Sequence, residues 1–408
     1  MADSPIIAAL EIGTSRTVVC VGEAERKGGR VRIIGSGVYP SAGVSKGQIT
    51  DLEKARESVR GALEKASNTI PNVDIRQALL TISGGHIQSQ ANSSVLAIQA
   101  PDKVVTHKDI ETVDENAGNI PVPADREVLH RLMRRYTVDE QPGIEDPLKM
   151  TASLLTSNVL AIHGLKNRIH TAVSVAKGEG LEVSDVVFSG VCAAMSVLSK
   201  EQKQRGVLLV DLGGGTTSYM AYTGGAIATA GCIAVGGWHV TRDIELAFSR
   251  LNPIRAEKLK CEHGCATFDA ANESPRITVP KSITELDDLQ INRRSLNTVI
   301  NARVNELFSV LRARLDNTGL LPNFGAGVVL TGGGAYLRKI TDQAQHVLGM
   351  PCTIGTPQNV DGLEQEKHPA MFATIAGLVM YGHESYEDKG FFSQLLKFFK
   401  RTDRKKHE

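Results

Sequence analysis

The chain has 408 residues, 41% hydrophobic and 22% charged, with a formal net charge of +1. That length holds two or more domains, each able to bury a core, and the composition is that of a soluble globular protein. The near-neutral balance excludes nucleic-acid binding driven by bulk charge, a lone tryptophan offers no stacking platform, and no run of 18 apolar residues is present to span a bilayer.

Asp3 and Glu11 interrupt the apolar N-terminus, so no secretory leader is expected. Residues 6–12 and 17–22 read as strands joined by a turn, and 31–38 continues the sheet. Thr50-Asp51 caps a helix over 52–67, and 77–83 is a strand closing at Gly84-Gly85. From 84 to 164 the texture changes. Residues 93–99 and 151–163 alternate like strands, 108–117 is an acidic helical run, and Pro121, Pro123, Pro142 and Pro147 mark turns. This reads as a small α/β insertion without phosphate chemistry, suited to contact with partners or copies of itself.

Residues 167–178 are expected as helix and 183–189 as strand. A small-residue helix over 191–198 is of the kind that packs closely under a nucleotide cleft, and 206–222 forms a second strand–turn–strand unit. Helices follow at 240–248 and 254–260, then an irregular stretch at 266–292, a long amphipathic helix at 295–317, and a small-residue helix at 370–381. Strands alternating with helices give a layered α/β fold. The six cysteines are scattered, which fits reduced cytosolic thiols. Cys261-Glu262-His263-Gly264-Cys265 hints at a metal, but no second pair lies nearby, and ordinary thiols are the simpler reading.

Three glycine-rich turns carry the chemistry, each after an apolar strand: Gly13-Thr14-Ser15, Gly213-Gly214-Gly215-Thr216 and Gly332-Gly333-Gly334. The first two share a pattern, with Glu11 matching Asp211, Gly13 matching Gly213 and Thr17 matching Thr217. Glycine leaves the backbone N–H groups unobstructed, and converging N–H groups make a concave phosphate site. An acid at a strand end can orient hydrated Mg²⁺. Two such loops face to face would clamp a polyphosphate between two lobes. The bland alternative, a tight hairpin at each turn, does not explain the matched acids.

This order of elements resembles the actin-like ATPase superfamily. Within it the chain is similar, over nearly its whole length, to the FtsA family of bacterial cell-division proteins. Residues 222–226, 256–266, 327–334 and 351–355, the insertion and the C-terminal tail carry that likeness. The resemblance implies an actin-like (ribonuclease H-like) two-lobed α/β fold with an inserted small domain and a C-terminal amphipathic helix. Residues 1–83, 165–194 and 359–381 would form one subdomain and 84–164 the insertion. Residues 195–240 with 305–358, and 241–304, would form the second lobe, 382–390 a linker and 391–408 a membrane-targeting helix with a basic tail.

The resemblance further implies ATP with Mg²⁺. Gly13, Thr14 and Ser15 would hold phosphates from one side, and Gly213, Gly214, Gly215 and Thr216 from the other. Asp211 would orient metal-bound water with Glu11 in support. Glu257 and Lys258 are carried over as adenosine contacts, with a solvated helix face as the alternative, and Gly332, Gly333 and Gly334 as the adenine-side turn. Hydrolysis is expected to be slow or absent. Glu11 stands where most relatives have Asp, moving the carboxylate by about one bond length. Ser189 stands where many carry a glutamate, and an unassisted hydroxyl is too weak a base.

Also implied are head-to-tail filaments, with the insertion as a longitudinal contact whose removal should spare ATP binding but impair assembly. Partners would be anionic membrane lipids, later divisome proteins, and the C-terminal tail of the tubulin-like division protein FtsZ, docking on 241–304. The location would be the cytoplasmic face of the inner membrane at the septum. Arg293, Arg294 and Arg303 are candidate cations for that tail, a solvated face being the alternative for each. A kinase on this fold would need a base that the sequence does not supply. A chaperone would need more than the 27 residues after Tyr381. A PilM-like pilus adaptor would not explain the amphipathic tail.

In that tail, Phe391, Phe392, Leu395, Leu396, Phe398 and Phe399 fall within an arc of roughly 160° on a helix, with Ser393, Gln394, Lys397, Lys400 and Arg401 opposite. This is an interfacial pattern. From Lys397 onward six Lys or Arg face two acids, and each cation near an anionic surface adds about 1 kcal/mol. A core helix docked on the body is the alternative, but burial would strand those charges.

Overall fold

The computed structural model describes residues 6–24, 30–71, 73–249, 251–268, 274–281 and 287–386. Strands β1 (Ile6–Ile12), β2 (Arg16–Ala24) and β3 (Val31–Pro40) form an antiparallel meander, followed by the short pair β4 (Val44–Ser45) and β5 (Gln48–Ile49). The Asp51 side chain accepts from Lys54 N–H and starts α1 (Leu52–Thr69), which covers β2 and β3. Strand β6 (Gln77–Ile82) then lies parallel to β1.

A separate four-stranded sheet follows, with β7 (Gln88–Ala97), α2 (His107–Gly118), β8 (Arg126–Val138), β9 (Gln141–Ile144) and β10 (Leu154–Leu165), in the order β7-β10-β8-β9. Strand β8 was not expected, since only the proline turns on either side of it stand out in the sequence, at Pro121, Pro123, Pro142 and Pro147. α3 (Lys166–Gly178) and β11 (Glu182–Phe188) return to the first sheet, ordered β11-β6-β1-β2-β3-β19 once β19 (Val360–Asp361) is added.

α4 (Ser189–Val197) and α5 (Lys200–Arg205) lead into the second lobe. Its sheet has the order β14-β13-β12-β17-β18, from β12 (Val207–Leu212), β13 (Thr217–Thr223), β14 (Ala226–Ile233), β17 (Val328–Thr331) and β18 (Cys352–Ile354). Between them run α6 (Gly237–Ala247), α7 (Pro253–His263), the pair β15 (Arg276–Val279) and β16 (Leu289–Asn292), and α8 (Arg293–Asp316), with α9 (Ile340–Leu348) after β17. α10 (Ala373–Tyr386) closes the described chain.

Strand periodicity sorts β12 between two cores. Val207 and Leu209 join the cluster that runs through α4 and α10 to the first lobe, while Leu208, Val210 and Leu212 join the one under α8 and α9. α10 crosses α4 so closely that a Cβ on Gly377 would lie 1.8 Å from the Cys192 carbonyl oxygen. α10 also runs through 382–386, which were expected as linker, because Gly382 packs against Ile7 and Leu79. The amphipathic segment 391–401 lies outside the described residues. Among the described residues no helix is long and apolar enough to cross a membrane, and no group of three metal-binding side chains forms around Cys261 and Cys265.

Candidate functional site

The first two glycine turns close in the same way. Gly13 N–H donates to the Arg16 carbonyl at 3.0 Å, and Gly213 N–H to that of Thr216 at 2.9 Å. The following threonines are both fully buried: Thr17 shares a hydrogen bond with the Ser41 hydroxyl, and Thr217 donates to the Val235 carbonyl, each at 2.8 Å. The turns face each other across the lobes. A Cβ on Gly214 would lie 2.9 Å from Ser15 Cβ, and one on Gly215 would lie 2.3 Å from Thr14 Oγ1. A side chain at either glycine would collide with the Thr14 and Ser15 side chains of the opposite turn. α6 braces the second turn, with Gly237 N–H on Gly213 O at 3.0 Å and Trp238 N–H on Gly214 O at 2.7 Å.

The third turn packs onto the same point. Gly332 has φ of 81°, and a Cβ there would lie 2.3 Å from Asp211 Oδ1. It opens a single 3₁₀ turn, Gly333–Tyr336, and α9 begins only at Ile340.

These turns bound a cleft of about 370 Å³. Glu11, Gly13, Thr14, Ser15, Asp211, Gly213, Gly214, Gly215, Thr216, Glu257, Gly332, Gly333 and Gly334 all line it. Lys258 does not: its side chain is 69% exposed and lies 3.8 Å from Glu262. The correction follows from helix phase, since residues three and four apart share a face. Glu257, Lys260 and Cys261 line the cleft together. Lys260 Nζ donates to Glu257 Oε2 at 2.6 Å, to Thr241 Oγ1 at 2.9 Å and to the Gly237 carbonyl at 3.1 Å. Burial opposes the charge on Glu257, but Lys260 and hydrogen bonds from Thr241 and Cys261 hold its carboxyl below the usual range. Tyr336 and His368, with ring centroids 4.5 Å apart, and Trp238, 38% exposed, also line the cleft and went unread in the sequence.

Glu11 and Asp211 sit at the strand ends beneath the phosphate turns. Burial pushes the Glu11 carboxyl up to about 7, with Asp211 adding to the rise and Arg16 opposing it. Its Oε2 is buried without a hydrogen-bond partner among the described residues. Burial also raises Asp211 from its ordinary value, against the Thr374 hydroxyl bonded to it at 2.8 Å and the charge of Arg16. Two half-buried acids, one with a buried and unused oxygen, form a donor set that fits a hard divalent cation. Ser189 lies buried, 3.0 Å from the Ser218 hydroxyl.

The three expected partner cations separate. Arg293 is buried, donating to the Ser274 carbonyl at 2.8 Å, so it is tied into its own lobe. Arg303 lines the cleft and grips Asp243 through both Nε and NH2, at 2.6 and 3.0 Å, fastening α8 to α6. Arg294 is exposed. Helix phase again divides them: Arg293 turns inward and Arg294 outward.

Residues 208–377 match the family model "Cell division protein FtsA", and residues 84–163 match the model for the SHS2 domain inserted in FtsA. The chain is 34% identical over 383 residues to the cell division protein FtsA of Pseudomonas aeruginosa, covering 94% of this chain and 90% of that protein. It is 32% identical over 391 residues to FtsA of Escherichia coli K12, covering 94% and 92%. Among solved structures, a chain of the PilM–PilN type IV pilus biogenesis complex superposes with a TM-score of 0.62 at 17% identity, covering 92% of this chain and 98% of that one. MreB5 of Spiroplasma citri bound to ADP superposes with a TM-score of 0.56 at 15% identity, covering 95% and 100%. These likenesses show an actin-like fold.

Proposed function

The chain belongs to the FtsA family of bacterial cell-division proteins, and on that premise we propose that it is an ATP-binding adaptor that polymerises and ties FtsZ to the cytoplasmic membrane. The observation that carries the nucleotide reading is the pair of matched glycine turns facing each other over two half-buried carboxylates. Backbone N–H groups of the turns hold the phosphates, and Glu257 with the Tyr336 side of the cleft takes the nucleoside. Asp211, with Glu11 in support, would hold Mg²⁺ through its bound water, and the ion would neutralise phosphate charge. Ser189, engaged with Ser218, offers no base for an attacking water, so ATP serves chiefly to close the lobes and stabilise them by mass action.

Trp238 is the single tryptophan of the chain, and its ring stands 3.3 Å from where a Cβ on Gly214 would lie. Titration with Mg-ATP should change its emission. Gly214→Asp puts a carboxylate between the turns and should abolish the change; undiminished nucleotide affinity in that variant would refute the phosphate assignment.

The tail is proposed as the membrane anchor on its sequence pattern. Each apolar side chain supplies up to about 1.5–3 kcal/mol if fully buried, and less at an interface. Phe392→Glu with Phe399→Glu should remove the chain from pelleted anionic vesicles while ATP binding persists; full pelleting of the double variant would sink the anchor. The same assay with FtsZ added, omitting each component in turn, tests the tether. Arg294 is the remaining exposed candidate of the three cations for the FtsZ tail.

A further inference from the structure

The tip of the short pair β4–β5 packs against residues of both phosphate turns. Val44 pairs with Ile49 and Ser45 with Gln48, leaving a two-residue turn, Lys46-Gly47. Both turn residues are left-handed, with φ of 51° and 71°. That backbone suits asparagine or glycine at the first position, and a lysine there is strained. Strain of this kind is retained where the residue has a task.

The turn is wedged against both phosphate loops. Gly47 N–H donates to Thr14 Oγ1 at 3.1 Å. A Cβ on Gly47 would meet Thr216 Cγ2 at 2.9 Å and Ser83 Oγ at 3.1 Å. Gly47, Gln48 and Ile49 also wall a chamber of about 40 Å³ shared with Glu11 and Gly13, which puts the hairpin at the acid end of the cleft, away from Tyr336. Lys46 is exposed and makes no ion pair among the described residues. Its charge adds to burial in holding the imidazole of His239, in the first turn of α6, below the usual range.

We propose that Lys46 is a cation for the terminal phosphate of a nucleoside triphosphate, so that the 44–49 hairpin distinguishes a triphosphate from a diphosphate. This rests on the reading of the cleft as a nucleotide site. Phosphates held by Gly13–Ser15 and Gly213–Thr216 would end beneath the hairpin tip. A third phosphate would then meet a charge that has no carboxylate of its own, while a diphosphate would stop short of it. Lysine suits a phosphate as a point charge.

The test is calorimetric titration of the full chain with Mg-ATP and Mg-ADP, for the natural chain, Lys46→Gly and Lys46→Arg. Glycine accepts the left-handed backbone, so loss of folding is not expected. Lys46→Gly should lose about ten- to a hundredfold in ATP affinity, the size of one charge-assisted hydrogen bond, with ADP affinity held within about threefold. Lys46→Arg should keep most of the preference. Equal loss of both nucleotides would overturn the proposal and make Lys46 a support of the loop. An unchanged ATP affinity in Lys46→Gly would overturn it directly. If the natural chain bound neither nucleotide, the cleft reading would fall first and this one with it.

Discussion

Glu11→Gln should make the nucleotide-free chain more stable at pH 8 and, at the same time, weaken its hold on Mg-ATP. The Glu11 carboxyl titrates near 7 in the folded chain against an ordinary 4.5. The folded state therefore binds more protons than the unfolded one between those values, and stability falls as pH rises through that window. Below pH 4.5 both states are protonated and no penalty exists. Above 7 the penalty is complete, on the order of 3 kcal/mol. Glutamine carries no charge to bury. Urea unfolding at pH 5 and pH 8 should show a gain for the variant that is larger at pH 8. Nucleotide affinity with and without Mg²⁺ should show that the variant has lost most of the metal's contribution. A variant less stable than the natural chain at pH 8 would contradict the burial argument.

Gly377→Ala should be strongly destabilising, against the usual sign. Alanine in a helix interior is worth up to about 1 kcal/mol over glycine. Here the added methyl would lie 1.8 Å from the Cys192 carbonyl oxygen and 2.4 Å from its carbon. Neither helix can yield locally, since Cys192 and its α4 neighbours Val191, Ala193 and Ala194 are buried. The helices must part, at a cost of about 1–3 kcal/mol or more. The displacement also reaches the cleft: α4 begins at Ser189, and α10 carries Thr374, bonded to Asp211 at 2.8 Å. Thermal unfolding and Mg-ATP titration should both show losses. A variant of equal or greater stability would refute the close crossing.

The phosphate turns were legible because they repeat, and repetition of Glu11, Gly13 and Thr17 as Asp211, Gly213 and Thr217 survives without knowledge of the fold. The helix contributions were half legible. Motif likeness points to the right turn of α7 but does not give its phase, so Lys258 was chosen where Lys260 faces the cleft. The same loss of phase placed Arg293 and Arg303 on a partner surface. Strand β8 escaped because His130, Arg131, Arg134 and Arg135 break its apolar alternation; in the fold those side chains reach carbonyls or aromatic neighbours outside the sheet. Arg131 donates to Gly118 O, Arg134 to Ile227 O and Arg135 to Gly224 O, and His130 packs edge-on to Tyr381. The hairpin at 44–49 has too few residues for any periodicity. Tertiary contact decides its importance, and a linear reading does not supply that.

Strand β14 ends the second sheet, so half of its backbone polar groups have no neighbouring strand to bond. The inserted domain supplies the missing partners. Ser89 Oγ both donates to the Ala230 carbonyl at 2.6 Å and accepts from its N–H at 3.2 Å, and Arg134 caps Ile227. Excising residues 84–164 would strip that cover and leave a sticky sheet margin, the kind of surface on which chains pair indiscriminately. An excised variant that clumps or fails to form filaments would then report the bared margin as much as any lost filament contact. Substitutions at exposed Val95 and Leu154, toward the opposite ends of β7 and β10 from the Ser89–Ile162 pair, separate the two, because they alter the insertion's surface away from the residues that bond β14.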